Sequence, residues 1–538
     1  MNLRKLSSSP KELVVCSVVF LCLTEIGLWV FARTPRGRLN VTQIVSVLFL
    51  AIVIFRFREI RAKRHQAPAS PPESESMLLP YLAILFGTLV WTTMLSAYFI
   101  SDDFGLLYMA RKPMLSRIWP VFRYGDGAGV FYRPLTLMSF SWDHAIWGEW
   151  PVGYHVTNLL LHAASVAGLF VLLRQLGARR RVSAITAGLF AAMPIQVESV
   201  AWMSGRFDVL STTIILWTTV CYLWARAKNS LAGYFAALAL FVLSMCSKET
   251  GFVLPLLLIA IELAVFRARP PWKIAGFLAI GGVAFVYRMF ALGGLGGYKS
   301  GGVSSALDLG PKTLEGLLIR APAQMLFGLN WTEPVGILAI TIASVMAAIL
   351  MLLVFGARLG TEQHSIVQLG LIWTFITLIP AHFLLMIGPG LSNSRVLCLP
   401  TVGIAIMLGQ LLGSLSGRRF QTAVFAVFAV VLNLGVLHNL AAWRSTAALA
   451  EDTLQHVMRL EPSPPSHSQL VFSNLPDTVR GVFFFRVGLS ESLKMAYGRD
   501  DISAIHDSDP ATEVPGSPQV QVRFLWKGEP EELLVKEK

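Results

Sequence analysis

Residues 82–100 read LAILFGTLVWTTMLSAYFI, without a single charged side chain. As a helix rising 1.5 Å per residue this stretch is about 28 Å long, close to the ~30 Å hydrocarbon core of a bilayer. A helix satisfies its backbone hydrogen bonds internally, so lipid accepts it whole. Apolar runs recur at 13–31, 41–55, 79–99, 154–173, 182–196, 208–225, 231–246, 252–266, 274–291, 335–356, 366–388, 396–415 and 420–438, about thirteen spans at the length a bilayer demands. The stretch 313–332 is less apolar and holds Arg320, which predicts a re-entrant or interfacial helix. Over the 538 residues, 54% are hydrophobic and 14% charged, with a mean hydropathy of +0.60. A soluble domain carries about 25% charged residues; this chain has too few to coat a water-facing surface. The fold class expected is mainly α, a polytopic transmembrane helical protein.

The formal net charge is +13. The cations fall in short clusters between apolar runs, such as RFREIRAKRH at 56–65 and ARRR at 178–181. That is the pattern of cytoplasmic membrane loops, and it argues against a nucleic-acid partner. Placing the N-terminus, with Arg4, Lys5 and Lys11, inside puts the basic loops 56–65, 174–181, 226–228, 267–273 and 418–419 inside as well. Arg33, Arg36 and Arg38 are the exception and land outside. An odd number of spans then carries the C-terminus outside. The five cysteines lie in or beside apolar runs, with no metal or disulfide spacing. The run Leu13–Phe31 has no small-residue cleavage site, so a retained anchor is expected.

Four parts follow from these patterns. Residues 1–60 form a two-span N-terminal add-on, and 61–78 a cytoplasmic linker containing RHQAPASPPESES. Residues 79–439 form the membrane core, with a long outer loop at 101–153 that opens on SDDF. Residues 440–538 form an outer tail. It starts with an amphipathic helical pattern at 441–460 and a PSPPS breaker. VFFFRV, LSESLKMAYG and the alternating QVQVRFLW follow, which predicts a small α+β module. No internal repeat suggests a two-fold transporter.

Charge at a membrane face is costly to desolvate, so it marks either a site or a structural pair. On the expected outer level lie Asp102, Asp103, Arg133, Glu198, Arg206, Asp208, Lys248, Glu249 and Arg395. A carboxylate there can act as general base, and Arg or Lys can neutralise a phosphate leaving group. Adjacent helical residues point ~100° apart, so one of Asp102 and Asp103 at most faces a site. His155, Asn158 and His162 share one helical stripe, expected to make interhelical hydrogen bonds rather than hold a metal. Asp102, Asp103 and Glu198 could lend oxygens to a divalent Mg or Mn ion, but nothing in the spacing requires a metal or any other cofactor.

Four ordered blocks carry a resemblance. FYRPLTLMSFSWDHAIWG with PVGYHVTNLLLHAASVAGLFVLLRQLG (131–148 and 151–177), MPIQVESVAWMSGRFDVL (193–210), CSKETGFVLPLLL (246–258) and SNSRVLCLPTVGIAIML (392–408) resemble the membrane core of the tetratricopeptide-repeat-containing protein O-mannosyltransferases, within the GT-C class. The likeness covers about 95–415 and is weak over 280–390. It implies a GT-C-like membrane glycosyltransferase with a polyprenyl-phosphate-linked sugar as donor, mannose or another hexose. The acceptor would be an extracytoplasmic hydroxyl on protein, lipid or glycan, attacked in one inverting displacement. It further implies that Asp102 or Asp103 is the base and that Arg206, Lys248 and Arg395 hold the donor phosphate. Arg133, His155, Glu198, Asp208 and Glu249 would support them. At 393–395 this chain has Asn-Ser-Arg where the family often has an acidic residue, and it lacks the repeats, so acceptor identity does not carry over. A bacterial inner membrane is the expected setting. A transporter or flippase, or a membrane scaffold without catalysis, are the alternatives.

Overall fold

A computed structural model of the chain describes residues 18, 20–26, 28, 34–62, 76–125, 130–297, 299–300, 303–304, 310–332, 337–506, 521–526 and 534–537. About half of the expected span at 13–31 and most of the expected linker at 61–78 lie outside these residues. Among the described residues nine helices are long and apolar enough to cross a bilayer. Two expected spans are shorter: Leu78–Met94 and Leu231–Ser247 are apolar helices below the length a straight crossing needs. The first stops early because its last turn, Val90–Met94, tightens into a 3₁₀ helix, and the chain leaves helix before residue 99.

The expected span at 182–196 is broken. Helix Arg180–Ala191 ends before Met193-Pro194, and the chain resumes as Pro194–Val200 at an angle of 48°. Proline removes a backbone donor and disfavours helix in the residue before it. The break turns the chain back toward the bundle, so Glu198 and Trp202 are buried instead of projecting outward.

The stretch 313–332, expected as a re-entrant or interfacial helix, is helical only as far as Phe327: the helix runs from Pro311 to Phe327 with a π turn at Gly316–Arg320, and residues 328–332 are not helical. The N-terminal helix Pro35–Ala62 packs on this segment and on Ile337–Gly356. The expected boundary at 439–440 lies inside one unbroken helix, Arg418–Leu460, of 43 residues. At about 65 Å this helix is twice the thickness of a bilayer core. Its first half crosses, and its second half carries the tail. Asn439 locks it at mid-length: its amide donates to the Pro194 and Gly328 carbonyls at 3.0 and 2.6 Å and accepts from the Asn330 amide at 2.8 Å.

The tail is the small α+β module expected. Its sheet has the order Ser503–His506, Gln469–Ser473, Gln521–Trp526, Leu534–Glu537. The first two junctions are parallel and the last antiparallel. Helix Leu489–Tyr497 joins the two parallel strands Gln469–Ser473 and Ser503–His506, as a parallel crossover requires. VFFFRV is not one strand. Only Val482 and Phe483 pair, with Thr478–Val479; Phe484 packs on Trp526 of the tail sheet and Phe485 on Phe104 of the membrane core.

Candidate functional site

The loop 101–153, expected on the outer side, folds into three short helices among its described residues: Asp102–Ala110, Met114–Tyr124 and Pro134–Trp147. Ser101, just before the first, has φ 49° and ψ −120°, a conformation rare for a residue with a side chain. This turn aims the two aspartates differently. Asp103 is buried, and both its carboxylate oxygens accept hydrogen bonds. Oδ2 accepts from the Ile100 amide at 3.1 Å, and Oδ1 accepts from the Ser204 amide at 2.9 Å and the Ser204 hydroxyl at 2.5 Å. Burial pushes its carboxyl up to about 7, against the pull of these three donors. Asp102 is half-buried, and among the described residues its carboxylate meets only the Ser101 hydroxyl, at 3.5 Å.

Ser204 is held by a tight turn, Met203–Gly205. A Cβ on Gly205 would sit 2.1 Å from the Glu198 carbonyl oxygen, so this turn of the MSGRFD block admits only glycine. The turn starts helix Arg206–Lys228 and fixes Arg206 and Asp208 on its first turn.

The charged residues resolve into four pairs. Arg395 pairs with Glu198, Nη1 to Oε1 at 2.6 Å, while the Arg395 amide and the Ser394 hydroxyl donate to the other Glu198 oxygen at 3.1 and 3.2 Å. Its guanidinium also lies 4.9 Å from the centre of the Trp202 ring. Lys248 pairs with Asp208 at 2.5 Å, both nearly inaccessible. Arg133 pairs with Glu249 through two hydrogen bonds. Arg206 is fully buried: it pairs with Asp143 at 2.5 Å and donates to the Asn158 side chain at 2.8 Å and the Tyr154 carbonyl at 3.1 Å. Burial and the neighbouring Arg133 charge push the Lys248 ammonium down, against the pull of Asp208.

Exposure separates the cations. The Arg395 and Arg133 side chains keep 17% and 15% of their surface open, Lys248 6% and Arg206 none. Arg206 and Lys248, expected to meet phosphate, therefore spend their donors inside the protein. Arg395 and Arg133 retain an open edge. His155 and His162 each donate through Nε2, to the Ala97 and Ala191 carbonyls at 3.0 and 3.1 Å. Asn158 bridges Arg206 to the Trp202 carbonyl. His162 and Asn158 thus bond to neighbouring helices, at Ala191 and Arg206, while His155 bonds to the non-helical Ala97.

Among the described residues no three His, Cys, Asp or Glu side chains converge as ligands. The oxygens of Asp103 and Glu198 are already accepting from protein donors.

Several participants were invisible to sequence reasoning. Asp143, within the SWDHAIWG block, is the partner of Arg206, and only its place in that block hinted at it. The tail module contributes too. Phe485 stacks on Phe104 at 5.9 Å and 14°, and Phe483 packs on Trp202 at 5.7 Å. Arg486 lies 4.9 Å from the Phe483 ring. The order is thus Arg395, Trp202, Phe483, Arg486, two cations flanking two aromatic rings. Gly488, at φ +83°, lies so near the aspartate turn that a Cβ would be 2.6 Å from the Ser101 carbonyl oxygen.

Beside Arg133 opens an apolar groove of about 480 Å³, lined by Tyr132, Met245, Cys246, Phe252, Val283 and Tyr287 among others. At its polar end both tyrosine hydroxyls donate to the Phe122 carbonyl, at 2.7 and 3.2 Å.

No family model matches the chain. Human protein O-mannosyl-transferase TMTC2 is 33% identical over 157 residues, which is 27% of this chain and 19% of that protein. Human TMTC4 is 26% identical over 394 residues, 60% of this chain and 53% of that protein. The matched regions span about half the length of these relatives or less. Among solved structures, ArnT from Cupriavidus metallidurans bound to undecaprenyl phosphate aligns over 84% of this chain and 94% of that one, at 13% identity and a TM-score of 0.38. In sequence, this integral membrane chain resembles the TMTC protein O-mannosyl-transferases.

Proposed function

We propose that this chain is a membrane glycosyltransferase that moves a hexose from a polyprenyl-phosphate-linked donor to an acceptor hydroxyl on the extracytoplasmic side. The observation that carries the proposal is the division of labour between the two aspartates. Asp103 ties the outer loop to the Met203–Gly205 turn, and Asp102 is left with its carboxylate available beside it. The similarity to protein O-mannosyl-transferases and the apolar groove next to Arg133 support the same reading.

Asp102 takes the proton from the acceptor hydroxyl. The oxygen attacks the anomeric carbon as the bond from that carbon to the phosphate oxygen breaks. Configuration inverts, and the electron pair leaves with polyprenyl phosphate. A phosphate leaving group needs positive charge rather than a proton donor. Arg395 and Arg133, which keep open edges, supply that charge, and Glu198 and Glu249 orient them. Arg206 and Lys248 act one layer further in, as positioning residues. The prenyl tail lies in the groove ending at Tyr132, one residue from Arg133. The site faces outward, with the basic loops at the opposite, cytoplasmic end.

The test is release of polyprenyl phosphate by the purified protein in lipid, from a panel of polyprenyl-phosphate hexoses with extract-derived acceptors. Turnover by wild type and its loss in Asp102→Asn are expected. No turnover with any donor would turn the weight toward transport or scaffolding.

A further inference from the structure

At the other end of the bundle lies a second cavity. Helix Arg206–Lys228 runs from the ion-pair layer to this cavity, and the twenty residues from Arg206 to Arg226 rise about 30 Å. The cavity is therefore one bilayer thickness away from the aspartates. Its volume is about 310 Å³, and its wall includes Arg226, Arg269, Lys273, Glu262, Tyr222 and Trp272.

Its chemistry is that of an anion site. Three cations face one carboxylate. Glu262 is fully buried; its Oε1 accepts from Arg226 at 2.7 Å and from the Tyr222 hydroxyl at 2.9 Å. One of the three charges is thereby balanced. Among the described residues Lys273 donates only to the neutral Asn229 side chain, at 3.0 Å. Arg269 has no ion-pair partner among the described residues. Two positive charges therefore remain uncompensated. The second Glu262 oxygen, Oε2, is buried and without a hydrogen-bond partner. An acceptor beside two unbalanced cations suits a ligand that brings both an anionic phosphate and a hydroxyl donor.

The surroundings indicate where that ligand comes from. Trp272, on the cavity wall, is 78% exposed. Trp224, Leu231, Phe235 and Leu263, on the same ends of these helices, are also exposed. Exposed tryptophan with aliphatic neighbours is the signature of the lipid–water boundary, and basic pockets between helices at that boundary take phospholipid head groups.

We infer that this cavity binds the head group of an anionic phospholipid, its phosphodiester held by Arg269 and Lys273 and a head-group hydroxyl donated to Glu262. The experiment is native mass spectrometry of the full chain, delipidated in neutral detergent. It is offered phosphatidylglycerol, phosphatidylethanolamine or phosphatidylcholine, with inorganic phosphate as competitor. Arg269→Gln/Lys273→Gln removes the two unbalanced cations without exposing the Arg226–Glu262 pair. Arg418→Gln/Arg419→Gln makes the same charge change at another basic position, the start of helix Arg418–Leu460.

Wild type is expected to retain phosphatidylglycerol over the other two lipids. The cavity variant should lose on the order of thirty-fold in affinity, at about 1 kcal/mol per cation, and the control variant should keep it. Equal retention by wild type and the cavity variant overturns the site. Preference for phosphatidylethanolamine overturns the anionic assignment. Displacement by millimolar inorganic phosphate overturns the lipid source. Each result is independent of transferase turnover.

Discussion

Replacing the two aspartates one at a time should separate a catalytic from a structural carboxylate. Asp102→Asn removes the base while disturbing one long contact to Ser101. Loss of a general base lowers kcat by ~10²- to 10⁴-fold, with little change in thermal stability expected. Asp103→Asn does the reverse. Its three donors are the Ile100 amide, the Ser204 amide and the Ser204 hydroxyl. An asparagine offers one acceptor oxygen and an NH₂ group. If the oxygen faces Ser204, the NH₂ confronts the Ile100 amide; if flipped, it confronts the Ser204 amide. Either way a buried backbone donor is orphaned, at a cost of about 1–3 kcal/mol. The assay is polyprenyl-phosphate release paired with thermal unfolding in detergent, both at pH 8, where the Asp103 carboxylate is ionised. Asp103→Asn should unfold at lower temperature yet keep much of its kcat once folded. The reasoning fails if Asp102→Asn turns over normally while Asp103→Asn is fully stable and inactive.

Asp103 also predicts a pH dependence. Its folded carboxyl is raised to about 7, so between about pH 4 and 7 the folded state holds a proton that the unfolded chain has released. Its contribution to stability is therefore lost as pH rises through that window, and the slope should vanish in Asp103→Asn on detergent melts. Asp143→Asn leaves the buried Arg206 charge without its partner and should destabilise by about 3–5 kcal/mol, seen as lost monodisperse protein on size exclusion. Gly488→Val forces a branched side chain into φ +83° against the Ser101 carbonyl. The tail segment should lift, with faster proteolysis near 480–488 and reduced turnover. Met245→Trp should fill part of the groove and raise KM for long polyprenyl donors more than for short ones; equal KM values would place the tail elsewhere.

Much of the membrane architecture was legible in the sequence, because a bilayer imposes one local requirement, an apolar helix of sufficient length, that each segment meets alone. The spans at 154–173, 208–225 and 274–291 were readable for that reason, as were the helix and last parallel strand of the tail from their period. The charged candidates stood out in the sequence by type, since ionisable groups in lipid are few and costly. Three things depended on the tertiary structure. Which of two neighbouring aspartates is anchored depends on Ser204, about a hundred residues away, and on the strained turn at Ser101. Which cation is spent internally depends on Asp143 and Asn158 for Arg206, against the open edge left to Arg395. And the tail looked like a separate appendage because its pattern changes at 440. One helix runs through that position, and Phe483, Phe485 and Gly488 pack onto the aspartate turn and Trp202. Periodicity records how each segment meets its solvent. It holds no record of which distant side chain completes a hydrogen bond, and at this site those long-range partners decide what each charge can do.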